Sequence, residues 1–174
     1  NEEYHSDLGS ISSTTLKALL RSPAHFRAYQ CGPRKKQLDS QRIGTAAHAA
    51  VFEPNRFSRD FVVWDKRRGA SGWKRFVADN AGHEILTRTE HDLVTACASA
   101  VRGTVAVQDN TGATYTVDDL ITYGTCERNL YWVDQETTIT CRMRADLMVQ
   151  NCTLDLKTTD DAREDSFAWQ CFRL

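Results

Sequence analysis

Asp146 and the run Asp155-Leu156-Lys157 are the residues of this chain whose types and spacing most constrain chemistry. With Gln150-Asn151 as a two-residue hairpin turn, Val149 pairs with Cys152, Leu147 with Leu154, and Asp146 falls opposite Asp155. Opposed strand residues stand roughly 5 Å apart at Cβ, so two carboxylates there repel unless a proton or a divalent cation lies between them. Lys157, two residues past Asp155, shares its face because strand side chains alternate. Oxygen ligands with room for water suit magnesium or manganese, and such an ion polarises a phosphoryl oxygen and lowers the pKa of water. A neighbouring ammonium orients that water or offsets negative charge developing at phosphorus. The chemistry implied is metal-assisted phosphodiester hydrolysis. The competing reading is a solvated sheet face whose acids are neutralised by Arg142, Arg144 and Lys157, and charge clusters of that kind are common.

The elements that must position these groups are strands. Ile139, Cys141, Met143, Ala145, Leu147 and Val149 alternate with Thr138, Thr140, Arg142, Arg144 and Asp146, the pattern of a strand with one buried side; only Met148 breaks it. Residues 128–133 form a second β-prone run. A turn centred on Gln135-Glu136 then pairs Trp132 with Ile139, Leu130 with Cys141 and Glu127 with Arg144. Together the two registers place Glu127, Arg144, Asp146, Asp155 and Lys157 on one face of a three-stranded meander.

These residues resemble a known family. Asp146 followed by Asp155-Leu156-Lys157-Thr158, with Glu127 upstream, is similar to the core of the PD-(D/E)xK nuclease superfamily. Further blocks resemble its exodeoxyribonuclease VIII (RecE-like) branch of phage recombination exonucleases. These are Ile11-Ser12-Ser13 with Leu16 and Ser22-Pro23-Ala24-His25-Phe26, then Gly44-Thr45-Ala46-Ala47-His48 running to Phe52-Glu53-Pro54. Gly72-Trp73-Lys74 with Phe76, and Arg144-Ala145-Asp146, complete the ordered series. The resemblance implies that His48, Asp146, Asp155 and the Leu156 carbonyl ligate a catalytic Mg²⁺, for which Mn²⁺ can substitute. Lys157 becomes the catalytic lysine and Glu127 the acid of the preceding strand. It further implies processive digestion of double-stranded DNA from the 5′ end in recombination or repair, a homo-oligomeric ring around the duplex, and a single-strand annealing protein as partner. A glutamine and tyrosine motif is expected on the helix after the lysine strand; Gln170 stands at the approach to it with no tyrosine following. The chain therefore reads as one nuclease domain over 1–174 that stops before the end of its C-terminal helix.

Two other groups carry functional weight. Residues 41–52 lack a β-branched run, are alanine-rich and are closed by Pro54, which suits a helix on which His48 shares a face with Gly44, Val51 and Phe52. A glycine one turn before His48 permits close approach of another backbone or of a nucleic acid. Without the resemblance, such a histidine reads as a hydrogen-bonded core residue, and His5, His25, His83 and His91 read as surface or local capping groups. The second group, Lys66-Arg67-Arg68-Gly69-Ala70-Ser71-Gly72-Trp73-Lys74-Arg75, brings cations and an indole onto a glycine-containing loop. Lys66, Arg67, Arg68, Lys74 and Arg75 suit phosphates and Trp73 suits stacking; the alternative is an ordinary solvated loop. Because the formal net charge is −1, contact with a polyanion requires localised cations, and Arg34-Lys35-Lys36 is a second such cluster.

The remaining features bound the answer. At 174 residues with 41% hydrophobic and 26% charged composition, the chain is long enough for one sizeable core. No apolar run approaches the roughly 18 residues of a membrane span, and Asn1-Glu2-Glu3-Tyr4 does not start a signal peptide, so a cytoplasmic protein without membrane partners is expected. The six cysteines form no C-x-x-C pair, which disfavours zinc or iron–sulfur ligation; Cys126, Cys141 and Cys152 fall on strands, the latter two as small core residues.

Helices are expected after Ser12 or Ser13, at 73–79, at 89–102 with Thr89 as cap and Leu93, Ala96, Cys97 and Ala100 inward, and after Thr159-Asp160-Asp161 with Phe167, Cys171 and Leu174 buried. Short strands are expected at 61–64 and 114–117, with a turn at Asp109-Asn110-Thr111-Gly112. The fold class is α/β (α+β): a central mixed, largely antiparallel sheet of four or five strands flanked by helices, a restriction-endonuclease-like core. A non-cleaving DNA-binding or assembly module, an endonuclease and a single-strand-specific nuclease remain alternatives, since each keeps these residues.

Overall fold

The computed structural model of the chain describes residues 4, 7–32, 39–150, 152–159, 161, 163–166 and 168. In chain order they form α1 (Ser13–Arg21), α2 (Pro23–Cys31), α3 (Asp39–Phe52), α4 (Pro54–Asp60), β1 (Phe61–Trp64), α5 (Trp73–Asp79), β2 (Glu84–Thr87) and α6 (Arg88–Gly103). There follow β3 (Val105–Gln108), β4 (Thr114–Thr116), α7 (Val117–Tyr123), β5 (Thr125–Val133), β6 (Thr140–Val149) and β7 (Cys152–Leu154). Helices with largely antiparallel strands give the expected mixed class. Among the described residues the strands pair as three small sheets, β1-β2, β3-β4 and β5-β6-β7, rather than as one sheet of four or five strands. No described helix is long and apolar enough to cross a membrane.

Polar side chains start the helices. Ser12 and Thr15 cap α1 reciprocally, the Ser12 N–H donating to Thr15 Oγ1 at 2.6 Å. Ser22 caps α2 and accepts from the His25 N–H at 3.2 Å, with Pro23 at the first helical position where no N–H is needed. Thr87, not Thr89, caps α6, because Glu90 reaches back to the Thr87 N–H at 2.8 Å and closes a capping box. Thr116 and Asp119 do the same for α7.

The described chain divides into two compact units, Asn1–Leu38 with Val105–Leu154 and Asp39–Thr104 with Asp155–Leu174. In the first, β5, β6 and β7 form the antiparallel meander. Its β6–β7 register is the expected one, Val149 with Cys152 and Leu147 with Leu154. The β5–β6 register is displaced by two residues from expectation: Trp132 faces Cys141, Leu130 faces Met143 and Arg128 faces Ala145. The loop is the cause. Asp134 Oδ2 accepts from the Thr137 N–H at 2.9 Å, the Asp134 N–H donates to the Ile139 carbonyl at 2.9 Å, and Thr138 has a φ of 58°. These contacts make a longer connection than a turn centred on Gln135-Glu136. An even displacement leaves every side chain on its face.

Ala145 and Leu147 are buried as expected, and α7 packs on β6 with Val117 and Leu120 inward. Gly124 permits this approach: a Cβ there would lie 2.7 Å from Leu147 Cδ1 and 2.8 Å from the Leu120 carbonyl oxygen. The far end of the hairpin departs from simple alternation, since Ile139 and Met143 are exposed while Arg142 is only 9% exposed. Arg142 is covered by the N-terminal segment. Ile11 bridges Cys141, Asp7 lies 3.4 Å from the guanidinium, and that group sits 4.8 Å from the Tyr4 ring centroid. Cys141 is half-buried, but Cys152 is exposed on the edge strand rather than in the core.

In the second unit β1 and β2 run parallel, from Phe61 opposite Glu84 to Trp64 opposite Thr87, joined by the basic loop and α5. Parallel partners require such a crossover. Helix α3 packs against α6 with Ala46, Ala47, Ala49, Ala50 and Val51 buried on one and Val94 and Ala98 on the other. The small residues of α3 admit the Val94–Ala98 stripe of α6, so Leu93, Ala96, Cys97 and Ala100, expected inward, are exposed. After β7, Thr159 Oγ1 accepts from the Asp161 N–H at 3.1 Å, Asp161 accepts from Arg163, and residues 164–166 are helical. Phe167, Gln170, Cys171 and Leu174 of the expected final helix lie outside the described residues, as do His5, Arg34-Lys35-Lys36, Asn151 and Asp160.

Candidate active site

In the first unit the structure brings Glu127, Arg144 and Asp146 onto one face of the meander. Cys126 pairs with Leu147 and Arg128 with Ala145, so Glu127 stands between them at the position opposite Asp146, with Arg144 on the diagonal. The ladder is interrupted there and Glu127 has a φ of 54°, a left-handed conformation that a glutamate adopts only where its surroundings impose it. The Arg144 guanidinium is ion-paired with the Glu127 carboxylate. Asp146 is 9% exposed, and a carboxylate oxygen of Asp146 and one of Glu127 lie within 4.8 Å of each other. Two enclosed carboxylates this close fit a hard divalent cation, which takes oxygen ligands at about 2.0–2.6 Å.

In the second unit, Asp155, Leu156 and Lys157 lie in an extended segment past the end of β7, because the ladder closes at Leu147 with Leu154. Among the described residues the β6–β7 ladder thus ends one pair short of the expected Asp146–Asp155 position. Lys157 and Asp155 do point to the same side, and their charged ends form an ion pair. The segment is held to α3: a Cβ on Gly44 would meet Thr158 Oγ1 at 3.2 Å, so the glycine expected to admit a close neighbour admits the residue that follows Lys157. One turn along α3, His48 is half-buried with its ring centroid 6.2 Å from that of Phe52.

The basic loop belongs to the same unit and is internally braced. Arg68 makes a two-pronged contact with Glu90, 2.7 Å to Oε1 and 2.6 Å to Oε2, and also donates to the Ile85 carbonyl at 3.0 Å. Arg42 of α3 reaches the same carboxylate at 3.0 Å. Burial pushes the Glu90 carboxyl up, but the Arg68 hydrogen bonds, the Thr87 N–H and the Arg68 charge outweigh it and hold the group at about 2. Arg68 thus anchors the loop, whereas Lys66, Arg67, Lys74 and Arg75 are exposed and Trp73 is half-buried against Trp64 at 5.7 Å. His25 accepts the local role expected of it, 2.8 Å from Ser22 Oγ, while His91 stacks on Phe57 at 5.7 Å.

Residues 12–172 match the family described as a PDDEXK-like domain of unknown function (DUF3799). The chain belongs to that family. Among curated proteins none matches it. Membership gives the PDDEXK-like domain a nuclease-type fold with a restriction-endonuclease-like core. Sequence reasoning missed Glu90 as the carboxylate shared by α3 and the basic loop. Its signal was Thr87-x-x-Glu90, a capping box that fixes a glutamate at the head of α6; the two arginines arrive only through tertiary packing.

Proposed function

We propose that the PDDEXK-like domain is a divalent-metal-dependent exodeoxyribonuclease of the exodeoxyribonuclease VIII (RecE-like) kind, hydrolysing double-stranded DNA from the 5′ end in recombination or repair. The observation that carries this reading is the pair of carboxylates on Glu127 and Asp146 within 4.8 Å of one another in an enclosed setting. Asp146, Asp155, the Leu156 carbonyl and His48 are the proposed ligands of Mg²⁺ or Mn²⁺. The bound ion supplies Lewis-acid polarisation of the scissile phosphate and acidification of the attacking water.

The chain's own residues do the rest. Glu127 holds Arg144 across the meander and keeps that guanidinium beside the acids. Lys157, ion-paired with Asp155 in this structure, would present an ammonium that orients water and offsets charge at phosphorus if Asp155 held the ion. Lys66, Arg67, Lys74 and Arg75 contact backbone phosphates, which gives affinity without sequence preference, as digestion through any sequence requires. A ring of copies around the duplex and a single-strand annealing partner belong to the same proposal.

The test is release of nucleotides from linear, closed-circular and single-stranded DNA with Mg²⁺ or Mn²⁺. Release from linear duplex alone, abolished by Asp155→Ala, is the expected result; cleavage of closed circles makes the domain an endonuclease, and preference for single strands makes it a single-strand nuclease. One observation favours a second reading, a non-cleaving DNA-binding module. Each acid of the Glu127–Arg144 and Asp155–Lys157 pairs already has a cationic partner within the protein. Calorimetry with Mn²⁺ separates the two, since the module takes up no ion.

A further inference from the structure

The basic loop carries a concavity that phosphate contact leaves unused. Residues 69–75 line a cavity of about 440 Å³, within the range of small-ligand sites. Its aromatic wall, Trp73, is fixed from behind. Trp73 leans on Trp64 at 5.7 Å, Trp64 leans on Phe76 at 4.9 Å, and the Trp64 Nε1–H donates to the Arg67 carbonyl at 3.0 Å. Two glycines also line the cavity: Gly69 and Gly72 have φ values of 81° and 87°, nothing lies within 4 Å of where a Cβ on Gly69 would stand, and one on Gly72 would meet Trp64 at 3.5 Å. Lys74 and Arg75 are exposed beside the indole, Arg75 in a solvent-exposed pair with Asp79 at 3.5 Å that a phosphate can displace. No acid occurs within 66–75, and the flanking Asp65 is occupied by Arg88 at 2.6 Å. Arg68 roots the loop on Glu90, so the arrangement is formed before any ligand arrives.

A fixed indole face, nearby cations and open backbone together match a nucleotide. A paired base inside a duplex already has both faces stacked, whereas an unpaired base has a free face, and stacking on an aromatic side chain tolerates every base. A cavity of this size admits one nucleotide and not a double helix. We propose that this cavity binds a single unpaired nucleotide of a DNA strand, its base stacked on Trp73 and its phosphate held by Lys74 and Arg75, so that the domain prefers a frayed or overhanging end to a blunt one. The proposal rests on the reading of DNA as substrate.

The test compares the affinity of the full chain, in Ca²⁺, for a fluorescent blunt duplex and for the same duplex carrying a short single-stranded overhang. The overhang is expected to bind about tenfold more tightly. Trp73→Leu, which keeps bulk against Trp64 but removes the stacking face, brings that ratio close to one, and Trp73→Phe retains most of it. Replacing Lys74 and Arg75 by Gln weakens both substrates and lessens their salt dependence. Equal affinity of the unaltered protein for the two ends, or a ratio that survives Trp73→Leu, overturns the proposal. Failure to bind any DNA removes it together with the substrate reading. An overhang preference without nucleotide release in Mn²⁺ leaves this site standing and removes only the exonuclease reading.

Discussion

Glu127 on β5 and Asp146 on β6 stand opposite each other where the ladder is interrupted, with carboxylate oxygens within 4.8 Å. Like charges so placed raise the energy of the folded state unless a cation intervenes, and Arg144 is ion-paired with Glu127 beside them. Mn²⁺ or Ca²⁺ is therefore expected to raise the melting temperature, since a ligand at a hundred times its Kd adds about 2.7 kcal/mol to the folded state. Asp146→Asn should abolish that rise, because it removes a charged oxygen ligand. Calorimetric melts of both proteins with and without the ion check this; an undiminished rise in Asp146→Asn would take Asp146 out of the metal site.

Glu90 gives a pH dependence with a definite sign. Its carboxyl titrates at about 2 in the folded protein against 4.5 for the ordinary group. A depressed folded value contributes stability that is fully present above about pH 4.5 and is lost as the pH falls towards 2. Allowing for solvent screening of a partly exposed group, the contribution is on the order of 1–2 kcal/mol. Glu90→Gln should therefore be less stable at pH 7 by about that amount, and the gap should close below pH 3. Urea titrations across that range measure it, and a gap independent of pH would assign the loss to packing.

What could be read from the sequence was what local rules decide. The β6–β7 register followed from the shortest possible turn, which leaves no freedom, and α5 and β1 followed from short, well-bounded runs. The β5–β6 register slipped by two because Asp134 holds Thr137 and draws four further residues into the connection, a side-chain effect invisible to alternation. The face of the acids was still right, since a slip of two preserves it. Sheet size was not legible: β1 and β2 are four-residue strands whose parallel partnership depends on the crossover through α5. Nor was the inward face of α6, which the alanines of α3 select. Among the site residues, the ion pair of Asp155 and Lys157 follows from i, i+2 geometry, while the Glu90 contacts with Arg42 and Arg68 join segments far apart in sequence.

Gly124 is expected to be intolerant of any side chain. A methyl group there would lie 2.7 Å from Leu147 Cδ1, 2.8 Å from Val149 Cγ2 and 2.8 Å from the Leu120 carbonyl, and the last is backbone that cannot rotate away. Gly124→Ala should cost about 1–3 kcal/mol by overpacking, measured by urea unfolding, even though the φ of −102° at this helix C-cap is one that alanine adopts freely. Leu147→Ala, costly by itself at a fully buried site, should cost less in the background of Gly124→Ala, because it removes one of the clashing atoms. Strictly additive losses would show that the β6 contact is not the cause.

Lys157 and Asp155 should separate binding from chemistry. Both flank Leu156 in the segment braced by Thr158 against Gly44, and they neutralise each other in the absence of an ion. Asp155→Ala removes a proposed ligand, so Mn²⁺ uptake and nucleotide release should be lost together. Lys157→Ala removes the competitor for that carboxylate while leaving the ligands in place, so Mn²⁺ should bind as tightly as before or more tightly. Nucleotide release should nevertheless fall by at least about a hundredfold, as expected when a group that stabilises charge at the reacting centre is deleted. The loss should lie in kcat and not in KM, because the ammonium acts on charge that develops only in the transition state. Isothermal calorimetry with Mn²⁺ and steady-state release from a labelled linear duplex provide the two readouts. Lost ion uptake in Lys157→Ala would make the lysine a structural brace of the Asp155 segment, and unchanged release would remove it from the chemistry.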